Sequence, residues 1–492
     1  MSTGGVAVAQ AAPDAAAGLP PAAAALLRAW DQANADLIAG MVPVTDVGVA
    51  DELAPVPEGA GLWGGPLPDN VPAGLEPGLL RSLVRQAGYL TDEGTGLERL
   101  DACRALVLPD RSCVSSAEAS RVRALAEAGG AVLAFAHASL PAGRARWRDD
   151  YALADLFGAH YEGPVRFETE ATRVTTACSS IWSPQFVPEN IINGRPDEFW
   201  ASLEGGPLPQ WVEIRFAQPH SVARALVQCR PGFLLQDLDL QCQVNAEWVT
   251  AAEVRNNEGW SMDCPFAQPL QADAVRVVVS RESLNGEDRQ IADVGEVTLF
   301  DEVGRRLIAP PYLVEVEIED VAWSAANRAD RLVLRCPAVR LRPAGAQVLA
   351  TFADPLSGER LPFCTRQQCG QGRAYLLAAP EGALGTEPES WEPLLRAFLG
   401  MPTVRHSGDE AVVACVRRRG DRWLVQVVDT QPPDTPDRAH EVIVRINQRA
   451  TGKVREVLSA PEGTPLATKG QDEWLQFTAP MAPLASVLLR TR

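Results

Sequence analysis

"ENIINGRPDEFWAS", Glu189–Ser202, holds no histidine and no cysteine. It does hold the turn pair Asn193-Gly194, Pro196, the acid pair Asp197-Glu198 and Trp200. Asn-Gly is a tight-turn signal. A ligand loop, a metal loop and the corner of a β-sandwich would all use such a segment, and its flanks decide between them. "QWVEIRFAQP" (210–219), "VARALVQCR" (222–230), "DLDLQCQV" (237–244), "AVRVVVSRE" (274–282) and "VGEVTLFDE" (294–302) are short alternating runs separated by turn residues. That is the pattern of an antiparallel sandwich with one face buried. The opening segment therefore reads as a corner of an all-β unit over residues 166–302, with Trp200 and Trp211 as its core anchors.

Outside that unit the pattern changes. "PVTDVGVA" (43–50), "CRALVLPD" (103–110) and "AVLAFAHAS" (131–139) are apolar runs of strand length. Between them lie two helical stretches. Leu79, Leu80, Leu83 and Val84 share one face of the first. The second, "SSAEASRVRALAEAGG" (115–130), starts with Ser115 and Glu118 as a capping box and stops at Gly129-Gly130. Strand–helix–strand–helix–strand predicts a flavodoxin-like, doubly wound parallel sheet. It resumes after the sandwich with "YLVEVEIEDVAW" (312–323) and "LVLRCPAVRLR" (332–342) as further strands, "GAQVLATFADP" (345–355) and "GQGRAYLLAAP" (370–380) as two more, and "SWEPLLRAFLG" (390–400) as a closing helix. Residues 407–492 are a further β-run with a hairpin turn at "RGDR" (419–422). The expected fold class is α/β plus all-β multidomain. Residues 1–40 form an Ala/Pro-rich, disordered leader and a helix, 41–165 and 303–402 a discontinuous α/β domain, 166–302 a sandwich insertion, and 403–492 a small C-terminal β-sandwich.

At 492 residues the chain exceeds one core, and length alone indicates about three domains. Its net charge of −18 argues against nucleic acid and anionic lipid as partners. Almost every cation is arginine; the lysines are Lys453 and Lys469. No run approaches the ~20 apolar residues that span a bilayer. The Ala-rich start has no early basic residue, unlike a secretory signal, so the expected localisation is cytoplasmic. The ten cysteines form no CxxC, and Cys364 and Cys369, five apart, have no neighbouring histidine. That spacing fits reduced thiols better than a zinc site.

Motifs of catalysis are sparse. "GAGLWG" (59–64) fits GxGxxG but follows no strand and leads into Pro66 and Pro68, so it is a loop rather than a dinucleotide fingerprint. There is no G-x-S-x-G and no phosphate loop. His137 ends "AVLAFAH", where a nucleophile elbow could sit in an α/β domain, but no serine or cysteine occupies the turn in elbow context, since Ser139 is followed by Leu140 and Pro141. Asp149-Asp150 and Glu317/Glu319 read as solvated charges. No catalytic residue is assigned.

Three segments resemble known families. "PVTDVGVA", "CRALVLPDRSCVSSAEASRVRALAEAGGAVLAF", "DLFG" (155–158) and "CGQGRAYLLAAP" (369–380) resemble the glutamine-amidotransferase-like domain that follows the barrel of trimerising beta-galactosidases. A working amidotransferase carries a cysteine after the third strand. This chain reads Ala136-His137 there, so the resemblance implies an inactive relative used for assembly. "TTACSSIWSPQFVPENIINGRPDEFWAS", "PQWVEIRFAQPHSVARALVQCR" and "ADVGEVTLFDEVG" resemble a discoidin domain of coagulation-factor type C, a jelly-roll sandwich whose bacterial members are often galactose-binding-like carbohydrate modules. Residues 407–492 resemble the sandwich that closes many glycoside hydrolases. "LLRAWDQANADLIAGMVPVTDVGVA" resembles the chain leaving a catalytic barrel, which implies a glycoside hydrolase without its barrel.

Loop aromatics are the usual platforms for sugar rings, so Trp182 and Trp260 are the candidate ligand contacts, with Arg255, Asn256 and Asn257 as hydrogen-bond partners. Turn bracing is the alternative for the last three. The discoidin resemblance implies a structural Ca2+ held by Asn193, Asp197, Glu198 and Glu296; calcium accepts such oxygen ligands. The expected function is the non-catalytic carbohydrate-binding or assembly portion of a glycoside-hydrolase-like protein, partnered by a carbohydrate and by copies of itself or a catalytic domain. Two alternatives stay open. One is a hydrolase, either acting through His137 or with its catalytic barrel on a separate chain; the other is a pure oligomer-interface scaffold.

Overall fold

A computed structural model describes residues 21–491 except 56–62, 64–73, 92–96, 98–99, 101–102, 144–145, 168–172, 285–286, 309–311, 408–411, 430–440, 472 and 481–483. The leader residues 1–20 and most of "GAGLWG" lie outside the described residues. The protein is mostly β.

The α/β unit is built on an eight-stranded sheet. Its strands, in spatial order, are Arg331–Arg335, Leu313–Ile318, Gln347–Ala353, Arg360–Cys369, Gly372–Leu377, Ala131–Phe135, Cys103–Leu108 and Thr45–Val49. The last four pair in parallel. The first five pair antiparallel, so the sheet is mixed and only half matches the parallel sheet expected from sequence. Connection length explains the difference. Cys369 pairs directly with Gly372 across a turn at Gly370-Gln371, and a parallel crossover needs a dozen or more residues. The run "VEVEIEDVAW" likewise breaks. Its strand ends at Ile318, and Asp320 accepts the Trp323 N–H at 2.9 Å to cap the helix Val321–Asn327.

The helix Ser116–Glu127 has the capping box read from sequence. Ser115 N–H donates to Glu118 (2.7 Å) and Glu118 N–H to the Ser115 hydroxyl (3.3 Å). It buries Ala119, Val122 and Ala126 on the sheet. Close approach there requires Gly372, because a Cβ on it would lie 2.0 Å from the Gly130 carbonyl oxygen. "AVLAFAHAS" is strand only to Phe135, and His137 sits in the turn beyond.

The inserted sandwich is an eight-stranded sheet folded on itself through two long bent strands, Gln210–Cys229 and Ser261–Leu284. The first half of Gln210–Cys229 pairs with Val174–Cys178 and the second half with Asp293–Phe300. Both chain connections to the α/β unit leave from one end, near Val174 and Phe300, and the rings of Phe167 and Tyr312 meet there at 5.0 Å. The loops at 179–182, 201–209, 230–234 and 255–260 crowd the opposite, distal end. Trp200 is fully buried in the core, whereas Trp211 is half-buried.

The C-terminal unit packs a five-stranded sheet against a four-stranded one, and Val42–Pro43 joins the former by pairing with Arg417 and Arg418. The helix Pro21–Ala33 docks on this unit through Ala23, Ala24 and Leu27 against Val428, with Asp31 bonded to Arg417. "RGDR" makes the hairpin turn, with Gly420 at φ 60°.

Candidate functional site

Two clusters of chemistry-bearing side chains stand out. The first lies at the carboxyl ends of the parallel strands, where α/β folds usually place ligands. Asp110 follows Cys103–Leu108, His137 follows Ala131–Phe135, and Glu381 follows Gly372–Leu377. Asp110 Oδ1 accepts both the His137 backbone N–H (2.9 Å) and its ring Nδ1–H (3.0 Å). Glu381 accepts the backbone N–H of Asp110 (2.8 Å) and of Leu75 (2.7 Å). Burial, and then the neighbouring Asp110, raise the Glu381 carboxyl well above its ordinary range. His137 Nε2 has no hydrogen-bond partner among the described residues. Its ring is sealed by aromatic edges, with Trp63 at 4.1 Å, Tyr161 at 5.7 Å and Trp147 at 6.2 Å. The residue at the tip of the strand is Ala136, with φ 23°.

The second cluster is the distal end of the sandwich. Trp182 is 44% exposed, but its loop is held firmly. Trp182 N–H donates to the Ala201 carbonyl (2.9 Å), and the Ser180 carbonyl accepts the Trp200 indole N–H (3.0 Å). Its ring stacks on Phe186 at 5.0 Å and 12°, and Phe186 stacks on Phe199 at 4.6 Å. The Arg230 guanidinium lies 3.9 Å over both Phe199 and Phe233, and Arg289 lies 4.8 Å over Phe233. Beneath them Arg230 bonds Asp293 at 2.9 Å, and Arg289 lies 3.5 Å from Glu282. Both carboxyls are buried, and burial raises both above the ordinary carboxylate range. The site is thus a run of rings with one open face, backed by arginines that buried acids fix in place.

Trp260 also belongs to this end. It is 57% exposed, and its carbonyl accepts the Cys229 N–H at 2.9 Å, one residue from Arg230. The neighbouring polar residues are engaged within the fold. Arg255 bonds Asp239 (2.6 Å) and the Leu238 carbonyl (2.9 Å). Asn256 accepts from Arg281 (3.2 Å), and Asn257 bonds the carbonyls of Leu235 (2.8 Å) and Gly259 (2.7 Å). They brace a turn, the alternative that sequence left open, with Asn256 at φ 52°. Phe186, Phe199, Arg230, Phe233 and Arg289 are the residues that sequence reasoning missed. Their only local signals are a phenylalanine among prolines in "SPQFVPE" and the strand-ending turn "CRPGF".

The four residues expected to ligate calcium are neighbours, but their oxygens are engaged, those of Asp197 and Glu198 by Arg195 and that of Glu296 by a backbone N–H. Arg195 bonds Asp197 (2.9 Å) and Glu198 (2.8 Å), and its backbone N–H donates to the Asn193 side-chain oxygen (2.8 Å). Asn193 Nδ2 donates to Glu198 (2.9 Å), and the Asn193 carbonyl accepts from Arg335 of the α/β unit (3.0 Å). Glu296 is buried, accepts the Gly194 N–H at 2.9 Å, and burial pushes its carboxyl up to about 8. A calcium ion needs six to eight free oxygens, so this donor set does not fit one. Among the described residues no group of three or more His, Cys, Asp or Glu side chains could hold a metal.

Comparison with known proteins agrees with the sandwich. Residues 174–294 match the F5/8 type C domain family, so the insertion is a discoidin domain. No curated protein matches the chain. Solved structures similar to it include an alpha-L-fucosidase isoenzyme from Paenibacillus thiaminolyticus (13% identity, TM-score 0.40, 94% of this chain and 51% of that one). A beta-galactosidase from Bacillus circulans sp. alkalophilus is another (12% identity, TM-score 0.44, 95% and 44%). A chitosan-binding module from Paenibacillus sp. IK-5, in complex with chitotriose, is a third (21% identity, TM-score 0.23, 27% and 98%). The chain spans about half the length of the first two. No helix among the described residues is long and apolar enough to cross a membrane.

Proposed function

We propose that the distal end of the discoidin domain is a carbohydrate-binding surface, and that the chain is the non-catalytic recognition and assembly part of a glycoside-hydrolase-like protein. The observation that carries this reading is Trp182, an indole held rigidly by its loop, stacked flat on Phe186 and 44% open to solvent. An exposed flat ring offers the C–H face of a pyranose a platform at little entropic cost, because the receptor is already ordered. Trp260 lies on the same end and widens the platform.

In this proposal the α/β unit is an inactive relative of the amidotransferase-like fold. Ala136 supports this, since the tip of the strand-to-turn element carries a methyl group where such enzymes present a nucleophile. The sealed ring of His137 also supports it.

A glycan array probed with the full chain tests the reading, followed by calorimetric titration of any hit. Binding that falls about tenfold or more in Trp182→Ala, with unchanged melting temperature, is expected. No binding to any glycan favours the pure interface role. Turnover of nitrophenyl glycosides or esters that is lost in His137→Ala overturns the non-catalytic reading.

A further inference from the structure

The C-terminal unit carries a second site with different chemistry. Its four-stranded sheet runs Val404–His406, Glu441–Asn447, Trp474–Pro480, Thr468–Gln471. Register places Arg405 opposite Arg445, Arg445 opposite Gln476, and Gln476 opposite Lys469. These four side chains form one straight row across the sheet. Their sequence neighbours Val404, Val444, Ile446, Leu475 and Phe477 are buried in the core, so strand alternation turns the row outward. Trp474, two residues before Gln476, shares that face. Together with Met401 at the edge, they line a cavity of about 560 Å³, within the usual size range of small-molecule sites.

The charge arrangement is unusual for this chain. Net charge is −18, yet two arginines stand directly opposite each other, a pairing that destabilises a sheet unless an anion compensates. Glu392 compensates Arg405 at 3.0 Å, and it is shared with Arg396. Arg445 is held by Gln476 at 3.1 Å, a neutral partner that aims the guanidinium without discharging it. Among the described residues no carboxylate pairs with Arg445 or Lys469. Two uncompensated cations therefore flank an amide beside an indole.

We infer that this cavity binds a small carboxylated sugar, such as a uronic acid. The guanidinium fork of Arg445 matches a carboxylate, and the Lys469 ammonium adds a second charge-assisted bond. The Gln476 amide suits a ring hydroxyl, and the Trp474 indole suits the apolar face of the pyranose. The site is on a different unit from the Trp182 surface and does not depend on it.

The test is calorimetric titration of the full chain at low salt with galacturonate and digalacturonate. Galactose, inorganic sulfate, inorganic phosphate and adenosine monophosphate serve as comparison probes. Binding of the uronates is expected, absent for galactose and weakened by salt. It should fall about tenfold or more in each of Arg445→Gln and Lys469→Ala, both exposed positions where the fold tolerates change. Trp474→Ala should weaken the uronates but not sulfate, and Trp182→Ala should change nothing here. Four results overturn the inference: no uronate binding at millimolar concentration, uronate binding unchanged in Arg445→Gln, sulfate or phosphate bound as tightly as the uronates, or adenosine monophosphate bound more tightly.

Discussion

The carboxyl ends of the parallel strands and the distal end of the sandwich share an inventory of aromatic rings and charged groups, but they dispose of it in opposite ways. At the strand ends Trp63, Tyr161 and Trp147 close edge-on around His137, which is fully buried. At the sandwich end Trp182, Phe186 and Phe199 lie face to face, and the stack runs out into solvent. The buried acids differ too. Asp110 is spent on the His137 backbone N–H and ring, and Glu381 on two backbone N–H groups, whereas Asp293 and Glu282 hold arginines beneath the rings. Rings packed by their edges close a core; rings with one free face leave a flat surface open to contact. At the usual ligand position of an α/β fold the rings here are packed inward around a buried imidazole.

Mutations can break that contrast. The largest effect is expected for Asp110→Ala, which strips the His137 ring and backbone of their shared acceptor inside the core. It should cost about 3 kcal/mol or more in chemical denaturation. A loss below about 1 kcal/mol would mean that the cluster is not structural. Next is pH. Glu381 holds its proton more tightly folded than unfolded, so its contribution is complete below the unfolded value of about 4.3 and declines as pH rises toward its elevated folded value. Stability should therefore slope downward from about pH 4.3 upward. Glu381→Gln should lower the absolute stability, because its amide must face one of two N–H donors, and should flatten that slope. An unchanged slope would remove Glu381 as its source. At the sandwich, Trp260→Ala should weaken glycan binding about twofold to tenfold, less than Trp182→Ala, since the Trp260 ring stacks on no other ring among the described residues. Equal losses would shift the centre of the surface toward Trp260. The smallest effect is calcium. Millimolar Ca2+ should leave the melting temperature unchanged, because Arg195 fills the space between the expected ligands. A rise of several degrees would show that the ion displaces it.

How much of this was legible in the sequence follows from how local each feature is. The sandwich shows in strand alternation, since period-two patterning is a property of adjacent residues, and its discoidin character shows only in the resemblance that "NIINGRPDEFW" helps to carry. The capping box of Ser115 and Glu118 is equally local. The mixed sheet is harder, because a buried apolar run reads alike in parallel and antiparallel pairing; only the two-residue turn at Gly370-Gln371 gives it away. Trp182 and Trp260 stand out because polar loops surround them. The rest of the platform does not, because Phe186, Phe199, Arg230 and Phe233 come from separate segments and meet only in three dimensions. Arg255, Asn256 and Asn257 have the right chemistry for a sugar, and the structure also uses them inside the fold, Arg255 on Asp239, the Asn256 oxygen on Arg281 and the Asn257 amide on nearby carbonyls. Spacing cannot show whether a donor is already spent.

The meeting of Phe167 and Tyr312 carries one more consequence. The described residues that flank the inserted domain, Phe167 and Tyr312, lie side by side, so chain entry and exit share one neck, and Arg335 adds a second tie to the α/β unit through the Asn193 carbonyl. Closing such a neck costs little chain entropy. The discoidin domain is in that sense a cassette. Joining residue 167 to residue 312 through a short glycine-rich bridge should leave the α/β and C-terminal units folded, and a different sandwich of similar neck width could be spliced in its place, exchanging specificity while the scaffold persists.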